Sequence, residues 1–351
     1  MIKNILVLGS INGQTLQRVE AFEQLGYVVD TISETALNHA PGINYKPTFL
    51  DRVRYKLGYP KDKRHINQRV LTAVKEKAYD LFWVEKCLCL KPATLKQLKQ
   101  KRPTMILAWY SGDDMSARHN QSAYFRQSLP LYDVVYTTKS YNCNANELPA
   151  MGAKKVYFVD KGFDKTMHAP VEVNDEDRRR LGAEVGFIGT FENERAMSMY
   201  YLAEHDIKVR IWGNGWDAFA KTHPHSNLQI ELKPIYDKDY QRAICATKIN
   251  LCFLRKINRD LQTDRSIELP ACKAFMMAER TDEHRRLFEE DKEAVFFTTN
   301  DELLKKVNYY LAHESERLKV AEAGFERCYR SDYTHENRLK YMLSKLEGIN
   351  A

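Results

Sequence analysis

The strongest constraint on this chain is a rhythm that it plays twice. Short apolar runs that read as buried strands alternate with segments whose apolar residues recur at helical spacing. "NILVLG" (4–9) is followed by "QTLQRVEAFEQLG", where Leu16, Val19, Phe22 and Leu25 share a helical face and Gly26 supplies a stop. "YVVDTI", "DLFWVE" (80–85), "TMILAWY" (104–110), "DVVYTTK" (133–139) and "KKVYFVD" (154–160) continue the strand series, with a helix opened by Pro92 and a short one ending at Gly152 between them. An apolar-poor stretch at 161–182 interrupts it. The alternation then restarts with "EVGFIGT" (184–190) and runs through "KVRIWG" (208–213), "LQIEL" (228–232), "INLCFL" (249–254), "AFMMAE" (274–279) and "AVFFTT" (294–299). Strands separated by helices must pair in parallel, because a parallel connection needs a crossover, and such sheets are covered on both faces.

At 351 residues the chain exceeds one ordinary core, and the two series predict two doubly wound, Rossmann-like α/β domains facing across a cleft. The expected boundaries are 1–165 for the first, 166–330 for the second, and 331–351 for a final helix that packs back toward the first. A composition of 44% hydrophobic and 29% charged residues excludes wholesale disorder. No run reaches transmembrane length, and "MIKNILVLGSING" has too short an apolar stretch for a signal peptide. The cysteines, Cys87, Cys89, Cys143, Cys245, Cys252, Cys272 and Cys328, are odd in number and unclustered. They read as free thiols of a reduced, cytoplasmic protein.

Net charge is +7 and it is local. Within 46–69, Lys46, Arg52, Arg54, Lys56, Lys61, Lys63, Arg64 and Arg69 face only Asp51 and Asp62. Tyr45, Phe49, Tyr55 and Tyr59 interleave with them. This mixture suits either an anionic partner with apolar or stacking faces, such as lipid headgroups or nucleic acid, or a solvated helix face.

Over most of residues 80–340 the chain resembles the GT-B fold glycosyltransferases, most closely the CgeB-like (spore protein type) group with its glycosyltransferase family 1-like carboxyl-terminal domain. Three stretches carry the resemblance in order: "YDVVYTTKSYN" with "MGAKKVYFVDKGFDKTMHAP", then "VGFIGTFENERAMSMYYLAEHDIKVRIWGNGW", then "TDRSIELPACKAFMMAERTDEHRRLFEEDKEAVFF". The family's acidic-x7-acidic spacing is present as Asp260 and Glu268, with Asp in the place of the usual first Glu. Lys273 stands where the family usually has glycine.

The resemblance implies a transferase that moves a sugar from a nucleotide sugar, a UDP-sugar, to an acceptor hydroxyl. It requires no cofactor and no metal. On this reading Glu268 accepts hydrogen bonds from the ribose hydroxyls, Arg265 and Thr263 meet the diphosphate, and Asp260 lies near the sugar. The polar groups would otherwise be an ordinary helix-surface pair at i, i+3. Gly189 and Thr190 end a strand before a helix, where backbone amides can face an anion, and Arg195 assists there. Gly213 borders the base. On the acceptor side, Ser10, Asn12 and Gly13 form the first strand-to-helix loop, and Arg52, Arg54 and Lys56 gather an anionic acceptor: a glycan, a lipid-linked glycan or modified nucleic acid. Peripheral membrane association belongs to the same reading.

An inverting transfer needs a general base, and "WYSGDDM" offers Asp113 and Asp114, where one carboxylate can raise the pKa of the other. Asp114 is the preferred base, with His119 the runner-up. "DED" (175–177) begins a helix, "HPH" lacks a third ligand at zinc spacing, and "CLC" has neither metal nor redox spacing. No phosphate-binding glycine loop of the nucleotide-hydrolase or dinucleotide type follows the first strand. Two other readings remain open: an inactive sugar-nucleotide or glycan-binding protein, and a GT-B sugar-nucleotide epimerase.

Overall fold

The structure is a computed structural model, and it describes residues 2–35, 48–347 and 349. Tyr45 and Lys46 lie outside the described residues. The chain divides into two units, Met1–Asp160 with His335–Ala351, and Lys161–Thr334.

Unit 1 contains, in order, β1 (Asn4–Gly9), α1 (Gly13–Gln24), β2 (Val28–Ser33), α2 (Phe49–Lys56), α3 (Ile66–Glu76), β3 (Leu81–Glu85), α4 (Pro92–Lys101), β4 (Ile106–Ser111), α5 (Ala123–Ser128), β5 (Val134–Thr137) and β6 (Val156–Phe158). The strands form one parallel sheet in the order β2-β1-β3-β4-β5-β6. Every residue of β3 and β4 is buried, as a central parallel strand requires when both sheet faces are covered. Trp83 stacks on Tyr110 and Tyr136 across three strands, with ring centroids 6.0 and 5.4 Å away. The short helix expected before Gly152 is a pair of separate 3-10 turns, Ser140–Cys143 and Pro149–Met151. Pro149 at the start of the second turn favours a tight local coil over a longer helix.

Unit 2 contains α6 (Asp175–Leu181), β7 (Ala183–Ile188), α7 (Asn193–Glu204), β8 (Val209–Trp212), α8 (Asp217–Thr222), β9 (Leu228–Ile230), α9 (Asp237–Ala246), β10 (Thr247–Cys252), α10 (Arg265–Ala271), β11 (Met276–Glu279), α11 (Asp282–Leu287), β12 (Val295–Phe297), α12 (Asn300–Ala312) and α13 (Glu314–Arg330). Its parallel sheet has the order β12-β11-β10-β7-β8-β9. Residues 161–165 go with this unit. Phe163 is fully buried, and its N–H donates to the Tyr333 carbonyl at 3.1 Å.

The final helix, α14 (His335–Ser344), belongs to unit 1. Leu339, Met342 and Leu343, with Leu346 beyond it, join Ile5, Val7, Phe22, Trp83 and Tyr136 in one core cluster. The Tyr136 hydroxyl donates to the Met342 carbonyl at 2.5 Å.

In each sheet the strand order reverses beside the first strand of the unit, at β1/β3 and at β7/β10. Loops leaving the carboxyl ends of the strands diverge there and open a crevice, which is where open α/β sheets take ligands. No helix among the described residues is long and apolar enough to cross a membrane.

Candidate functional site

At the β7/β10 reversal of unit 2 a cavity of about 520 Å³ is lined by Phe191 to Arg195 leading into α7, Phe253 to Ile257 after β10, Glu279 at the end of β11 and Thr298 after β12. Helix α7 starts at this cavity with no side chain capping its amino terminus. Its first amides are therefore the kind of unsatisfied donors that favour an anion.

Of the expected donor-side residues Arg195 lines this cavity, whereas Gly189, Thr190, Gly213, Asp260, Thr263, Arg265 and Glu268 do not; Arg265 is still close enough for its charge to act on Arg195. Arg195 is buried and lies 5.2 Å over the Phe187 ring, and it donates one Nη to the Thr190 carbonyl. Its Nε is buried with no partner. Burial, with repulsion from Arg265 and Arg255, pushes its pKa down to about 10. Arg265, at the first position of α10, donates to the Thr263 hydroxyl at 3.2 Å, and its Nε is likewise buried and unpartnered. Burial opposes the Arg265 charge, but Tyr240, Glu268 and Asp264 outweigh it and raise its pKa. Each guanidinium thus keeps one buried donor without an acceptor, and the Arg265 charge repels that of Arg195.

Asp260 and Thr263 precede α10, and Glu268 lies within it. Glu268 is buried; its carboxylate accepts from the Tyr240 hydroxyl at 2.5 Å and lies 3.5 Å from His168 Nε2. His168 Nδ1 accepts the Asp164 N–H, so its proton sits on Nε2, toward Glu268. Asp260 accepts from Asn258 Nδ2 at 2.8 Å and from the Arg255 N–H at 3.4 Å, closing the loop after β10. Thr263 donates its N–H to Ser266 Oγ at 2.9 Å. Ser266 Oγ then meets His284 Nε2 at 2.7 Å, and His284 Nδ1 meets the Glu279 carbonyl at 2.7 Å. A carbonyl can only accept, so His284 is the neutral Nδ1–H tautomer and Ser266 donates to Nε2. Burial lowers the His284 pKa to about 4.

Gly189 follows β7, and its carbonyl accepts from Trp216 Nε1 at 2.9 Å. A side chain at Gly213 would collide with that same carbonyl, so glycine at 213 lets two loops touch. Lys273 adopts φ +57, the left-handed conformation that explains the family's glycine. Its Nζ pairs with Glu322 at 2.5 Å, and it is not among the cavity-lining residues.

In unit 1 the adjacent aspartates part company. Asp114 is fully buried, accepting from Asn142 Nδ2 at 2.9 Å and from the Ser116 N–H at 3.2 Å. That is a loop-organising role, with no access for an acceptor hydroxyl. Asp113 is half-buried and pairs with Lys86. His119 is exposed on a 3-10 turn. Ser10, after β1, donates to Glu34 Oε1 at 3.1 Å. Asn12 precedes α1 without capping it through its side chain, and Gly13 begins α1 at φ +45. Arg52, Arg54 and Lys56 lie on α2.

A second cavity, of about 400 Å³, lies at the β1/β3 reversal beside Lys61, Lys63, Arg64, Lys86, Glu34 and Cys89. Beside it Glu34, Cys87 and Cys89 bring their ligand atoms within 4.8 Å of one another, the two sulfurs 3.6 Å apart. Sequence spacing gave no sign of this cluster because Glu34 arrives from another strand. Hydrogen bonding to Cys89 and burial raise the Cys87 thiol, and burial raises Glu34, both toward the uncharged form. None of the seven cysteines forms a disulfide.

The fold defines a class. Two parallel six-stranded sheets with interleaved helices are the GT-B architecture of glycosyltransferases. Residues 195–344 match the family described as glycosyl transferase-like. The chain is similar in structure to sucrose-phosphate synthase from Thermosynechococcus elongatus (TM-score 0.70, 13% identity, covering 98% of this chain and 99% of that one). It is also similar to Anabaena Alr3699/HepE in complex with UDP and glucose (TM-score 0.64, 12% identity, 98% and 99%). A third similar structure is an alpha-glucosyltransferase in complex with UDP and a 13-mer DNA containing a HMU base (TM-score 0.69, 13% identity, 98% and 99%). No curated protein matches the sequence.

Proposed function

We propose that the protein transfers a sugar from a UDP-sugar to an acceptor hydroxyl without a metal ion, as a cytoplasmic enzyme of the CgeB-like group. The observation that carries this reading is the pair of guanidinium groups, Arg195 and Arg265, each with a buried Nε lacking a partner. A leaving nucleoside diphosphate gains negative charge as the glycosidic bond breaks. Fixed guanidinium donors and the uncapped start of α7 stabilise that charge where other transferases use a cation.

Glu268, held by Tyr240 and His168, is the ribose partner, and Gly189 and Thr190 bring backbone to the phosphates. Asp260 and the loop that it closes face the sugar, with Gly213 toward the base. Asp113, half-buried and paired with Lys86, takes the base role in preference to the fully buried Asp114. The acceptor is anionic: a glycan, a lipid-linked glycan or modified nucleic acid. Two similar proteins hold UDP, one of them with DNA, which supports both halves of the reading.

Calorimetry of the whole chain with UDP in excess EDTA tests it. Binding is expected to persist in EDTA and UDP to be released from a UDP-sugar when acceptor is added. Binding that appears only with manganese or magnesium would overturn metal independence, and no binding under either condition would overturn the donor assignment.

A further inference from the structure

Helix α2 is unlike the other long helices of unit 1. Among the described residues α1, α3 and α4 each bury several side chains, whereas α2 buries none. Phe49 is 79% exposed, Leu50 70% and Leu57 66%. With Val53, also exposed, these residues fall within about 100° of one another at the helical repeat of 3.6 residues per turn, so they form one apolar stripe. Arg54 flanks the stripe on one side, and Arg52 and Lys56 flank it on the other. Asp51 and Tyr55 occupy the opposite face.

The helix is also fixed in place. Thr48 and Asp51 form a capping box, and Asp51 pairs with Lys63 at 2.9 Å. Just beyond it the Gly58 carbonyl accepts the Ala123 N–H at 2.6 Å, and Tyr59 meets Tyr124 edge-on at 5.3 Å. Exposing such a stripe to water is costly, and none of the contacts just named uses the side chains of Phe49, Leu50, Val53 or Leu57.

We infer that α2 is a docking surface for an anionic lipid bilayer, lying in the interface with Phe49, Leu50, Val53 and Leu57 among the acyl chains and Arg52, Arg54 and Lys56 at the headgroups. An apolar stripe bordered by cations on both sides lets each cation reach up to the phosphate level while its neighbours are immersed. Nucleic acid fits less well, because Leu50, Val53 and Leu57 have no π face for a base to stack on. A second copy fits less well too, because a two-fold pairing of this stripe would set cation against cation. The surface lies in unit 1 and the proposed nucleotide site in unit 2, so the two readings can fail separately.

The test is sedimentation of the full chain with phosphatidylglycerol-containing vesicles and with pure phosphatidylcholine vesicles, at low and physiological salt. The expected result is binding to the anionic vesicles that weakens with salt. The exposed double variant F49S/L50S should keep the wild-type melting temperature and UDP affinity while its vesicle partition coefficient falls at least tenfold. Absence of sedimentation at low salt would overturn the inference, as would equal partition of wild type and F49S/L50S. DNA retardation or self-association that the double variant abolishes, without vesicle binding, would overturn it in favour of those occupants.

Discussion

Each unit encloses an arginine beside its central strands, and the two have opposite fates. Arg18 in unit 1 is 7% exposed and Arg195 in unit 2 is 5% exposed. Both lie over an aromatic ring, Tyr110 and Phe187 respectively. Arg18 donates Nε and Nη to the two oxygens of Glu85 at 2.8 and 2.7 Å, and Trp83 Nε1 adds a third hydrogen bond to that carboxylate. Among the described residues no carboxylate forms a salt bridge with Arg195, and its Nε has no partner at all. Equal burial thus separates a complete ion pair from a guanidinium with a donor left over. An unused buried donor is not by itself a mark of function, since Trp109 Nε1 and the Tyr132 hydroxyl in the core of unit 1 also lack partners; Arg195 adds to it a place in the cavity lining.

The comparison can be broken most forcefully at Arg18. Arg18→Met leaves Glu85 charged and enclosed without its partner, and denaturant unfolding should show a loss of about 3–5 kcal/mol. A loss below about 1 kcal/mol would show that the pair is not the anchor described. The next effect is on pH. His284 titrates near 6.5 in an unfolded chain but near 4 in the folded one, so the unfolded chain takes up a proton that the folded chain refuses. The stabilisation present above pH 6.5 should fall as pH drops through that window, by on the order of 3 kcal/mol near pH 4. Compared with the wild type, His284→Gln should show a flatter stability profile between those values.

The third test sharpens the contrast. Arg195→Met removes a buried charge that has no carboxylate, so the melting temperature should hold or rise while the dissociation constant for UDP increases roughly 10- to 100-fold, about 1.4–2.8 kcal/mol. Loss of stability on the scale of Arg18→Met, with UDP affinity unchanged, would make the two arginines alike.

Local pattern carried the architecture. Strands such as "NILVLG" and "INLCFL" are short apolar runs between turn residues, and the helix starting at Asp175 follows the capping Asn174. Arg195 and Arg265 could be named because they sit in segments that resemble a known family. What could not be read depends on residues distant in sequence. Arg18 and Glu85 meet because β1 and β3 are neighbours in the sheet. Ser266 and His284 meet only once α10 and α11 have folded beside β11. Asp113 and Asp114 are equivalent as letters; Asn142, arriving from the far side of β5, enclosed one and left the other to Lys86. Likewise α2 was legible as a basic segment, while the apolar stripe appeared only when helical geometry set Phe49, Leu50, Val53 and Leu57 side by side.

The return of α14 to unit 1 bears on the order in which the protein can be built during synthesis. Unit 2 is a continuous stretch, Lys161–Thr334, so every strand and helix that it needs has been made by the time Thr334 joins the chain. Unit 1 starts earlier and finishes later. Its sheet is made by Phe158, yet the core side chains Leu339, Met342, Leu343 and Leu346 come only after unit 2. Until then the face of β1, β3, β4 and β5 that carries Val7, Trp83, Tyr110 and Tyr136 has α1 over part of it but not α14. Closing it requires a loop across the whole of unit 2, a connection whose entropy cost is smaller once unit 2 is compact. Unit 2 can therefore be complete before unit 1 is, and residues translated after unit 2 seal a sheet translated before it.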